Sequence, residues 1–275
     1  MSSLSAPYAL GEGTLTEQQR LIAQARSLEP HARWMLDRIS IKPGSSAIDF
    51  GCGPLGIMNL LSERVGSNGV VIGIEREPRY AEMARNELKE RQLRNARVID
   101  GDALKSGLEK NSYDLVHARL VLINLPPVFQ QELLAEMLSL LKPGGAIALQ
   151  DFDSASYVCY PRHPSWDLLL SVWNDSFQAK GGNEFVGRSL AQLLRTAGVK
   201  NVQMKVHVEV AQVGEYRRTH LLSLVESARD LMLASGRMTA ADLNKHLAAL
   251  SEHLVDPDTT LIDKMNVQSW GQKAN

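Results

Sequence analysis

Asp49, Gly51, Gly53, Gly56 and Glu75 are the residues of this chain whose types and spacing can do chemistry. The first four lie in Ser46-Ala47-Ile48-Asp49-Phe50-Gly51-Cys52-Gly53-Pro54-Leu55-Gly56, which reads as a short buried strand, a glycine turn and a helix opening on Pro54. Gly51 and Gly53 carry no Cβ, so the backbone there can turn sharply and approach a ligand closely. Pro54 suits a first helical turn, whose amides point at whatever sits above them. The strand Val70-Val71-Ile72-Gly73-Ile74 then ends at Glu75, a carboxylate placed to hold a ribose diol. Together these residues predict a nucleotide-type pocket.

The G-x-G-x-x-G spelling does not name the nucleotide, because a dinucleotide site has the same glycine spacing and a similar acidic offset. Asp49 separates the readings. A carboxylate two residues before the first glycine repels a pyrophosphate and welcomes an ammonium or sulfonium group. Two chemistries therefore stand side by side: transfer from a positively charged donor, and hydride transfer with a nicotinamide cofactor.

Composition narrows the rest. The chain has 275 residues, 44% of them apolar and 22% charged, ample for a core of one large α/β domain or two small ones. Thirty basic and 31 acidic residues nearly cancel, so no basic excess favours nucleic acid as a partner. Cys52 and Cys159 are too few for a disulfide framework or a cysteine metal site, and no metal is expected. A signal peptide and a run of about 20 apolar residues are both missing from the sequence, which gives the expectation of a cytoplasmic protein with no membrane partner.

The elements that must position the glycine turn follow in order. Residues 1–13 read as an arm, with Tyr8 the residue in it best placed to reach a ligand. Thr14-Leu15-Thr16-Glu17 spells a capping box, and the apolar spacing predicts one helix to Leu28 and a second from Pro30 to Ile39. Helix 54–65, strand 70–75, helix 78–93, strand 96–100, strand 113–118, a helix to Leu141 and strand 146–151 then alternate. Such alternation predicts parallel βαβ units, with ligands at the carboxyl ends of the strands. Those ends carry Asp49, Glu75, Asp102, Ala118-Arg119 and Asp151. Beyond them come an aromatic segment 152–185 with a helix 164–179, a helix 187–197 and a strand 201–212. Val202, Met204, Val206, Val208 and Val210 in that strand are expected to face a covered side. Residues 215–255 are helical, with a cap at Thr239–Asp242, and an extended stretch 259–270 can pair antiparallel with 201–212.

The first motif, residues 49–56, resembles that of class I S-adenosylmethionine-dependent methyltransferases. Glu75, Asp102-Ala103, Tyr113-Asp114-Leu115-Val116 and Leu141-Lys142-Pro143-Gly144-Gly145 match further motifs of that family in order. The opening Tyr8-Ala9-Leu10-Gly11 with Glu17, Arg20, Leu21 and Gln24 is similar to a bacterial small-molecule subgroup in which an N-terminal helix closes over the cofactor. The resemblance implies a Rossmann-like, seven-stranded, mostly parallel sheet with helices on both faces. N-terminal lid helices (1–41) would precede a methyltransferase domain (42–275), with helical cap segments at 152–185 and 213–257. It implies S-adenosylmethionine as cofactor, held by Tyr8, Asp49, Gly51, Gly53, Glu75, Arg76, Asp102, Ala103 and Arg119. Asp49 has an alternative as a cap on the loop amides, Glu75 as a solvated strand end, Asp102 as an Asx turn, and Arg119 as a surface or paired cation.

Methyl transfer from a sulfonium needs alignment above all, and a base only where the acceptor must lose a proton. His117, Asp151 and His163 are the candidates, with Asp153 beside them, and no spacing selects one. His117 reads equally as a core histidine, and Asp151 as a cap. The acceptor is expected to be a small apolar or aromatic secondary metabolite, methylated on carbon, oxygen or nitrogen. Trp166 and Trp173, seven apart on one helix face, read slightly better as core than as pocket. A nicotinamide oxidoreductase and a cofactor-retaining cyclase or binding protein remain as alternatives, and a homo-oligomer through the N-terminal helix is a further expectation.

Overall fold

The structure is a computed structural model that describes residues 15–274, with the side chains of residues 15 and 16 outside that description. Tyr8 and the arm around it lie outside the described residues. Helix α1 (Leu15–Leu36) leads into β1 (Ser46–Phe50), α2 (Met58–Val65), β2 (Val70–Glu75), α3 (Pro78–Glu90), β3 (Ala96–Asp100) and β4 (Tyr113–Arg119). Next come α4 (Pro127–Leu140), β5 (Leu141–Asp153), β6 (Val158–Tyr160), α5 (Pro164–Ala179), α6 (Leu190–Thr196) and β7 (Lys200–His207). The chain closes with α7 (His220–Ser227), α8 (Arg229–Ala234), α9 (Ala240–Val255), β8 (Thr260–Ile262) and β9 (Met265–Gln272).

Seven strands form one sheet in the order β3-β2-β1-β4-β5-β9-β7. Strands β1 to β5 run parallel, and β9 is inserted antiparallel between β5 and β7. The period-2 alternation divides the core between two faces. Ala47, Val71, Leu115 and Ala148 pack with Met35, Leu36, Leu60, Leu61 and Ala84 from α1, α2 and α3. Ile48, Ile72, Val116, Ile147 and Leu149 pack on the other face with Leu133, Leu134 and Met137 of α4 and with the helices after β5. Strand order reverses between β1 and β4, which opens a crevice above their carboxyl ends.

Three expectations are corrected. The two helices expected on either side of Pro30 are one helix, with Pro30 inside it. Pro30 forfeits one backbone hydrogen bond, but Leu28, Ala32, Met35 and Leu36 are buried across it and hold the helix together. Pro54 does not open α2. Gly51, Gly53 and Gly56 adopt φ of 61°, 59° and 50°, so the turn winds further and the helix starts at Met58. The strand expected over 201–212 ends at His207 and its apolar row is not covered, with Met204, Val206, Val208 and Val210 all exposed. Strand β7 is the last of the sheet, and among the described residues no element shields that row.

Candidate active site

A cavity sits over the carboxyl ends of β1, β2 and β4. Asp49, Gly51, Gly53, Glu75, Arg76, Asp102, Ala103 and Arg119 all line it, so the structure brings together every expected cofactor residue among those it describes. Glu75 fastens the turn to the end of β2. Its Oε2 accepts from the Gly53 amide at 2.8 Å, and its Oε1 accepts from the Arg76 and Glu77 amides at 2.8 and 2.9 Å. Burial nevertheless raises its pKa above the ordinary carboxylate value. Gly51 must be glycine on two counts, its positive φ and a Cβ that would stand 2.8 Å from Val121 Cγ2. A Cβ on Gly53 would meet open space, so the backbone at that point is bare toward the cavity.

Asp49 departs from the simple expectation. Its carboxylate is buried; one oxygen lies 2.7 Å from His117 Nδ1 and the other accepts from the Ile57 amide at 3.2 Å. The negative charge therefore lies under the turn, fixed by the fold, and reaches the cavity as a field rather than as a free ligand. His117 is fully buried behind it and does not line the cavity. Asp102 forms the Asx turn of its alternative reading, its Oδ1 accepting from the Leu104 amide at 2.9 Å, and the residue also lines the cavity.

Arg119 decides what the pocket fits. Its Nη2 donates to the Gly56 carbonyl at 3.0 Å, but its buried Nη1 has no partner among the described residues. Burial lowers its pKa, with the Asp49 charge opposing. An orphaned guanidinium donor beside a bare glycine turn calls for a carboxylate, and Glu75 at the far side suits a diol. An amino-acid-bearing nucleoside has those two ends, so the residues fit S-adenosylmethionine.

The remaining base candidates are elsewhere. Asp151 is fully buried under the 3-10 turn Leu122–Asn124, accepting from the Leu122 and Ile123 amides at 3.2 and 3.3 Å, and burial raises its pKa well above the usual range. Asp153 is engaged by Arg188. His163 caps α5 and stacks on His253 at 4.6 Å, outside the cavity lining. Burial and the Asp49 charge push the Cys52 thiol up, away from the thiolate form.

Residues 41–185 match the methyltransferase domain family. The chain belongs to that family. It is a class I methyltransferase with S-adenosylmethionine as its cofactor, and the nicotinamide reading falls. The methyltransferase is 29% identical over 194 residues to the demethylmenaquinone methyltransferase of a Geobacillus species, an alignment covering 65% of this chain and 82% of the relative. The enzyme of the same description from Listeria welshimeri is 26% identical over 202 residues, covering 66% and 82%. Among solved structures, a methyltransferase from Bacillus halodurans superposes with a TM-score of 0.60 at 13% identity, covering 88% of this chain and 98% of that one. Phosphoethanolamine N-methyltransferase 2 of Haemonchus contortus, in complex with phosphomonomethylethanolamine and S-adenosylhomocysteine, gives 0.55 at 15% identity. That match covers 89% of this chain, which spans about half (53%) of the nematode protein. These structural likenesses are of fold.

The cavity also contains residues outside the expected cofactor set, three of which the resemblance ties to the lid helix. Arg20, Leu21 and Gln24 of α1 line it, with Arg20 held by Glu17 (2.6 and 2.7 Å) and donating to Gln24 Oε1 at 2.7 Å. Both tryptophans pack in the core as read, Trp166 against Tyr157, and Trp173 lines the cavity as well. Glu184, His220 and Lys264 complete the wall. Nothing local marks these three, because they arrive from separate segments after β5.

Proposed function

We propose that this methyltransferase is a cytoplasmic enzyme of secondary metabolism that methylates a small apolar or aromatic acceptor. One observation carries the reading: the cavity continues from the glycine turn into an inner half walled by Ile123, Leu125, Phe152, Trp173, Phe177 and Leu224. When bound, the cofactor supplies an electrophilic methyl on a cationic sulfur. Arg119 would take its carboxylate, Glu75 its ribose, and Asp102 with Ala103 the edge of its base. Asp49 would favour the positive charge from beneath, and the aromatic wall would orient the acceptor. Helix α1, bearing Arg20 and Gln24, serves as the lid, and residues 152–185 and 213–257 as the cap; excluding water strengthens the electrostatics inside. The curated relatives, named for methylating demethylmenaquinone, support a small-molecule acceptor.

The test supplies labelled S-adenosylmethionine with a panel of aromatic small molecules and reads label transfer and a mass gain of one methylene. Label entering only protein or nucleic acid would overturn the acceptor reading. Absence of stabilisation by S-adenosylhomocysteine in thermal unfolding would overturn the pocket itself.

A further inference from the structure

The inner half of the cavity contains an imidazole that the fold does not use. His220 is the first residue of α7, is 4% exposed, and lines the cavity. It is ringed by aromatic faces, with centroids 6.1 Å from Phe152, 6.2 Å from Tyr157 and 5.4 Å from Tyr216. Among the described residues no hydrogen bond engages its ring nitrogens. A buried polar group without a partner in a cavity wall is suited to a ligand's hydrogen bond.

The charges around it cancel. Lys264 Nζ donates to Glu184 Oε2 at 2.7 Å, and both residues are buried. Glu184 is further fixed by Ser154 Oγ at 2.5 Å and Trp173 Nε1 at 2.7 Å. Arg20 is neutralised by Glu17 in the same way. An anionic acceptor would have to break one of these pairs, and a cationic one would face two paired cations. The inner half is built for an uncharged molecule.

Resting on the function proposed above, we infer that the acceptor is an uncharged molecule with an acidic hydroxyl, a phenol or an enol, and that His220 takes that hydroxyl's proton. The acceptor oxygen forms its bond to the methyl carbon as the carbon–sulfur bond breaks, the electron pair going to sulfur. The hydroxyl proton moves to a ring nitrogen of His220 and leaves to solvent after product release. As the oxygen gains the methyl its proton becomes strongly acidic, so a weak base suffices. Burial, with Lys264 and Arg20 nearby, holds the His220 pKa well below 6.5 and keeps the ring neutral. The groups facing it are Phe152 of β5, Tyr157 and Tyr216, with Lys264 and its partner Glu184 and, on α1, Arg20.

The experiment uses the full chain loaded with S-adenosylhomocysteine and two probes, 1-naphthol and 1-hydroxy-2-naphthoate, with quenching of tryptophan fluorescence as the binding readout. We expect 1-naphthol to bind at least about tenfold tighter than its carboxylated analogue. With labelled S-adenosylmethionine, 1-naphthol should yield its methyl ether. His220→Asn should lower kcat by about 10²- to 10⁴-fold, leave 1-naphthol and S-adenosylhomocysteine affinities within about threefold, and abolish the acidic limb of the kcat–pH profile. His220→Gln serves as a second variant should Asn unfold the protein. Equal affinity for the carboxylated probe, or no binding of either probe by protein that binds S-adenosylhomocysteine, overturns the acceptor class. Unchanged kcat and pH profile in a folded His220 variant overturns its role. Failure to bind S-adenosylhomocysteine at all instead refutes the function on which the inference rests.

Discussion

Replacing Lys264 by Met should unfold this protein more readily than any surface change, and replacing Glu184 at the same time should restore much of the loss. Both side chains are almost completely withdrawn from water, with 2% and 4% of their side-chain surface left exposed. Their environment holds the Glu184 pKa low: burial alone would raise it, but Lys264, Ser154 and Trp173 outweigh that. Removing the ammonium leaves a buried carboxylate with two neutral donors, a change that costs about 3–5 kcal/mol. At about 2–4 °C per kcal/mol for a chain of this size, Lys264→Met should lower Tm by roughly 6–20 °C. In the double variant with Glu184→Gln no charge is left buried, Gln can accept from Trp173 Nε1, and Met fills the lysine stem. Urea unfolding of the wild type, both single variants and the double variant forms a cycle whose coupling energy should reach at least about 2 kcal/mol. Additivity to within about 0.5 kcal/mol would refute the claim that the pair is a desolvated unit.

Arg119→Met should weaken S-adenosylhomocysteine binding at least about tenfold by calorimetry, because it deletes the orphaned donor; Glu75→Ala should also weaken binding and loosen the turn held at Gly53. Asp49→Ala should do more than reduce affinity: it strands the Ile57 amide and His117, costing roughly 1–3 kcal/mol per stranded group, visible as a shifted urea midpoint. Gly51→Ala should abolish binding while thermal unfolding changes by only a few degrees, since its methyl enters the Val121 contact in a strained backbone region. Buried and half-buried histidines should contribute stability that falls with acid. His31, His207 and His220 have folded pKa values below the ordinary 6.5, chiefly through burial. At these three sites the unfolded chain binds more protons, so their contribution, full above about pH 6.5, is lost as pH falls below it, while the raised carboxyls of Glu75, Asp151 and Asp263 act in the opposite sense. His220→Asn should flatten part of that slope in urea titrations between pH 7 and 5.

The parallel sheet was legible because its signals are local. Strand Val70–Glu75 is bounded by Gly69 and by Pro78 three residues beyond it, and helix Pro164–Ala179 by its opening proline; the capping box of Thr239 and Asp242 forms as spelled. Legibility failed where distant packing decides. Pro30 reads as a break, yet burial of Leu28 and Ala32 on either side keeps one helix. The row Met204, Val206, Val208 and Val210 reads as a covered face, yet it is exposed among the described residues, and only the assembled fold shows this. In the cavity, the glycines and acids of the cofactor half declare themselves by spacing. Glu184, His220 and Lys264 lie in three segments with no shared period, and they meet only through the packing of the chain that follows β5.

That outermost strand has a consequence for handling the protein. Among the described residues its outer backbone edge is unpaired and Met204 and Val206 are exposed on it, a template on which another chain could add hydrogen bonds and bury greasy surface. Lys200 and Lys205 stand on the same strand, both solvent-exposed, and set like charges against any parallel in-register stacking. Colloidal behaviour should therefore track ionic strength: dilute salt keeps those ammonium groups repelling, and concentrated salt removes the guard from a surface that is otherwise adhesive.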